Sequence, residues 1–102
     1  MIKVANIGVS KAIINGKERV SLDFSQLSSL SKGDTLVISA FDDYVETETI
    51  GVSSTELWLD WIISIYNIVA ENGTASRDGK VLEILSNDSR GSNLSIDTGN
   101  VE

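Results

Sequence analysis

The sequence predicts an α+β fold, with an antiparallel sheet of about five or six strands and one long, mostly apolar helix, over about residues 54–71, packed on it. Three observations carry that prediction. Asn15-Gly16 separates two runs in which apolar and polar residues alternate. A Ser/Thr-rich start precedes an apolar stretch that stops at Asn72-Gly73. Short strand-like runs, set apart by turn residues, fill much of the remainder.

The first hairpin is the most sharply specified element. Asn-Gly supplies the two positive φ angles that a two-residue hairpin turn requires. That loop length fixes the register: Ile14 faces Lys17, Ile13 faces Glu18, Lys11 faces Val20 and Val9 faces Leu22. One face then gathers Ile7, Val9, Ile13, Val20, Leu22 and Phe24, and the other gathers Ser10, Ala12, Arg19, Ser21 and Asp23. Ile2 and Val4 have the wrong parity for that face, and Gly8 is the expected site of a correcting bulge.

Leu27 and Leu30 among serines predict a single helical turn, closed by Lys32-Gly33-Asp34. "TLVISAF" is a strand, Asp42-Asp43 its turn, and "YVETETIGV" the returning strand. Pairing Phe41 with Tyr44 sets Val45 beside Ala40 and turns Glu46 and Glu48 away from Leu36 and Ile38. Ser53 and Glu56 form a capping box for the helix. "TASRDGK" reads as a loop with a turn at Asp78-Gly79. "KVLEIL" reads as a strand, "LSID" as a last short one, and residues from about 98 to 102 as a frayed tail. All 102 residues are expected to form a single domain.

Composition removes several classes of chemistry. The chain has no cysteine, so disulfides, thiolate nucleophiles and thiolate metal sites are excluded. It has no histidine, which removes the commonest general base and the commonest metal ligand. Ser-His-Asp and Cys-His schemes are therefore impossible, and no catalytic residue is assigned. "SNDSRGSNLSID" has the length of a calcium loop, but Ser86 stands at its first place and Arg90 at its fifth, so no metal site is expected. No phosphate-binding glycine motif occurs, and no cofactor is expected. The formal charge of −7 disfavours direct contact with nucleic acid or an anionic lipid surface. No segment reaches the ~20 apolar residues of a membrane-spanning helix, and a cytoplasmic location is expected.

The stretch "NGKERVSLDFSQLSSLSKGDTLVISA" resembles the middle of the HPr phosphocarrier family. That family works through a phosphorylated histidine. With no histidine here, the resemblance implies shared hairpin chemistry and no activity.

The helix is the main functional clue. On a wheel of ~100° per residue, Asp60, Ser64, Asn67 and Glu71 form one narrow polar stripe. The remainder from Leu57 to Ala70 is apolar, more than one sheet face needs. Trp58, Trp61, Ile62, Ile65, Tyr66 and Val69 are therefore the expected interface residues of a non-catalytic, self-associating protein-interaction module of small inhibitor or adaptor type, most simply a homodimer. One alternative is an acidic mimic of nucleic acid, using Asp42, Asp43, Glu46 and Glu48 against a basic cellular protein. The other is an oligomer that sequesters a small ligand.

Overall fold

The computed structural model describes residues 7–26, 35–48 and 54–97, and its fold is α+β. Seven strands form two antiparallel sheets in place of the single sheet expected. β1 (Gly8–Ile14), β2 (Lys17–Asp23), β5 (Gly73–Asp78) and β6 (Val81–Ser86) make a four-stranded sheet in the order β1-β2-β6-β5. β3 (Thr35–Ala40), β4 (Asp43–Glu48) and β7 (Ser95–Asp97) make a three-stranded sheet in the order β4-β3-β7. The helix α1 (Thr55–Val69) packs against β5 and β4.

The inner faces of both sheets and one side of α1 share one core. Val20, Leu22, Leu82 and Ile84 come from the larger sheet, and Leu36, Ile38, Ala40 and Val45 from the smaller. Trp58, Leu59, Ile62 and Tyr66 come from α1. Phe24 meets Trp58 edge-to-face, with ring centroids 5.6 Å apart.

The β1/β2 register is the one Asn15-Gly16 predicts, with φ of 51° and 78° at the two turn residues. Gly8 pairs regularly with Asp23, so no bulge forms there. The second hairpin turns at Phe41-Asp42, one residue before the expected place, and Ala40 pairs with Asp43. Register thus moves by two residues, which preserves parity: Val45 remains inside and Glu46 outside.

The segment expected as a loop, "TASRDGK", supplies most of β5, and the turn is Gly79-Lys80 with Gly79 at φ 59°. The helix is shorter than expected. Ser54, not Ser53, is its N-cap, accepting the Leu57 N–H at 3.2 Å. At its other end Ala70 donates to the Tyr66 carbonyl, and Gly73 opens a strand instead of terminating the helix. Ser53, the Leu27/Leu30 turn and the tail from 98 lie outside the described residues.

Candidate functional site

The polar stripe of α1 is exposed, yet two of its residues reach across to β5. Asp60 receives the Arg77 guanidinium of β5 at 2.6 and 3.3 Å, and Glu56 lies 3.8 Å from the same group. The hydrogen bond from Arg77 holds the Asp60 carboxyl below the usual aspartate range, against a smaller opposing effect of desolvation. Two turns further along, Asn67 donates to the Ala75 carbonyl at 3.0 Å and accepts the Ala75 N–H at 2.8 Å. Ser64 bonds back to the Asp60 carbonyl. Asp60 and Asn67 thus finish the outer edge of β5.

The adjoining flank, between the polar stripe and the buried face, is apolar and faces outward. Leu57, Ile68 and Val69 are 51%, 80% and 52% exposed, and Trp61 and Ile65 are half-buried. Spacings of four, four and three residues put Leu57, Trp61, Ile65 and Ile68 on one side of the helix. Of the six expected interface residues, Trp58, Ile62 and Tyr66 are fully buried and are corrected to core residues. They point into the space between the two sheets, where the helix closes the core. The Trp58 indole N–H and the Tyr66 hydroxyl are buried without a hydrogen-bond partner among the described residues. Burial, with a smaller contribution from nearby Asp43, pushes the Tyr66 hydroxyl up to about 12.

The four expected acids do not make one face. Asp42 lies in the turn and meets Arg90 at 3.0 Å. Asp43 accepts the N–H groups of Glu71 at 3.1 Å and Asn72 at 2.9 Å, so it fastens β4 to the chain leaving α1. Glu46 is exposed and accepts from the Tyr44 hydroxyl at 3.3 Å. The side chain of Glu48 lies outside the described set.

A second exposed feature lies on the far side of the molecule. β1 and β7 end their respective sheets there, and a shallow groove between them is lined by Val9, Lys11, Leu94 and Ile96. Sequence reasoning placed Val9 and Ile13 on a covered face, yet they are 49% and 70% exposed. It also missed Asn67, Arg77 and Asp43 as edge and chain fasteners. The signal available was their polarity at positions facing other elements, which a helical wheel alone does not reveal.

Among the described residues, no group of three or more carboxylates gathers in a way that would hold a metal ion, and no helix is long and apolar enough to cross a membrane. No family model, curated protein or solved structure matches this chain.

Proposed function

We propose that this chain is a non-catalytic protein-interaction module that self-associates through the outward flank of α1. The supporting observation is the apolar stripe Leu57-Trp61-Ile65-Ile68 with Val69 beside it, exposed at Leu57, Ile68 and Val69 and half-buried at Trp61 and Ile65, along a helix whose Asp60 and Asn67 are engaged by β5. A stripe with this spacing suits packing against a second helix. Because it is apolar from end to end, a two-fold axis across it matches like with like. The mimic reading has less support, since Asp42 and Asp43 are engaged within the chain.

Sedimentation velocity over a concentration series tests the reading. A dimer is expected, and Ile68→Glu should weaken it by about tenfold or more, because it places a charge within the apolar contact. A mass that stays monomeric into the millimolar range, or a dimer indifferent to Ile68→Glu, would sink it.

A further inference from the structure

The geometry points to a second binding surface, independent of α1: the open edge of β1, which takes an extended segment of a partner protein with the pattern apolar-x-acid-x-apolar.

The backbone sets the class of ligand. In an antiparallel hairpin with a two-residue turn, the pair flanking the turn is hydrogen-bonded and the pairs then alternate. Ile14-Lys17 is therefore bonded, and Val9, Lys11 and Ile13 direct their N–H and C=O groups away from β2. The same rule applied to the β5/β6 hairpin turns Ala75 outward, where Asn67 takes both of its groups. At β1, among the described residues, nothing pairs with the outward groups. Three residues at alternate positions, each offering a donor and an acceptor, match an extended strand and little else.

The side chains set the pattern. Val9, Lys11 and Ile13 share the inner face of β1, and Val9 and Lys11 open onto Leu94 and Ile96 across the groove. An added strand sets its alternate residues against these three, so apolar residues suit the outer two positions. Lys11 decides the middle one. It is the only charged residue of β1, and its ammonium lies 3.8 Å from Glu18. The Glu18 carboxylate is already engaged by the Ser92 hydroxyl at 2.9 Å and the Ser92 N–H at 3.1 Å. An ammonium has three donors, so Lys11 retains capacity for a second carboxylate.

The same lysine argues against a second copy of this chain as the occupant. In the two-fold register that sets Val9 against Ile13 of a second copy, Lys11 falls opposite its own image. Like charges directly opposite each other destabilise a strand pair. An inward-pointing charge on an edge strand is a known protection against self-pairing. The edge is thus closed to its own sequence and open to one carrying an acid.

The test uses the full chain and a short synthetic peptide, capped at both ends, with a central glutamate, valines two residues to either side and threonines elsewhere. A second peptide carries lysine at the centre. Backbone amide shifts are followed by NMR during titration. Saturable shifts centred on Val9, Lys11 and Ile13 are expected, with the glutamate peptide binding about tenfold more tightly than the lysine peptide. Lys11→Pro removes an outward donor without touching the β1/β2 ladder, so binding should vanish while the amide spectrum of the remaining strands persists. Lys11→Glu should reverse the preference between the peptides, which keeps the test decisive if the proline variant misfolds. Shifts confined to α1, equal binding of both peptides, no binding at millimolar peptide, or a self-paired species abolished by Lys11→Pro would each overturn the inference. None of these outcomes depends on Ile68, so the helix-mediated dimer stands or falls separately.

Discussion

β5 and β1 are the two outer strands of one sheet, and they meet their surroundings in opposite ways. At β5, a helix side chain takes the outward N–H and C=O of Ala75, and Arg77 ties the same edge to Asp60. At β1, Val9 and Ile13 are largely exposed and the corresponding backbone groups stay outward. Both strands carry the same liability, a row of backbone groups directed away from their own sheet. The difference lies in where the one helix is placed. The described residues include one long helix, and lying across β5 and β4 it closes one side of the core while leaving the other side to the groove.

The sharpest way to break this asymmetry is to damage the closed side. Trp58→Ala removes the largest buried side chain of α1, and a loss of about 3–5 kcal/mol is expected in urea unfolding. Asn67→Ala should cost less, about 1–2 kcal/mol, by leaving both groups of Ala75 without partners in a half-buried setting. Hydrogen exchange at the Ala75 amide should speed up in that variant, making the closed edge resemble β1. Asn67→Asp sharpens the point, because it retains an acceptor for the Ala75 N–H and loses the donor for its carbonyl.

The Arg77–Asp60 pair should give a smaller, pH-dependent effect. The Asp60 carboxyl is held below its ordinary value of 3.8 in the folded chain, so the unfolded chain binds the proton more readily. Its contribution is present above that ordinary value and is lost as pH falls through the lower folded one. Arg77→Gln should flatten the acid limb of a stability-against-pH curve. Tyr66 acts at the other end: its stabilising contribution is full below pH 10 and is lost as pH rises toward about 12, which absorbance-monitored titration can follow. The smallest effect belongs to the open side. Ile13→Thr at 70% exposure should leave the unfolding free energy within about 0.5 kcal/mol.

How well each hairpin could be read follows from its turn chemistry. Asn15-Gly16 fixed the first register because both residues accept positive φ at little cost. The second turn defied reading because Phe41 and Asp42 adopt φ of 54° and 63°, and Phe is a poor residue for that region. Phe41 is held there by complete burial and by its N–H bond to the Ser92 carbonyl at 2.8 Å, contacts distant in sequence. β5 gave no strand signal, since its inward residues are Gly73 and Ala75. Gly73 is small for a reason: a Cβ there would lie 3.2–3.3 Å from Phe41, Tyr66 and Ile84. The surplus apolar arc of α1 was legible, but not its division. Trp58, Ile62 and Tyr66 went to the core and Leu57, Ile68 and Val69 to solvent because the polar stripe turned toward β5.

The Asn67 amide has a consequence for stoichiometry. One of its donors and its acceptor oxygen stand in for the residue of a neighbouring strand, so the sheet behaves as a polymer with a terminating group already attached. Indefinite ribbons require two reactive ends on every unit. With the Ala75 position of β5 engaged from within, copies of this chain are hindered from joining β1 to β5 in an endless ribbon.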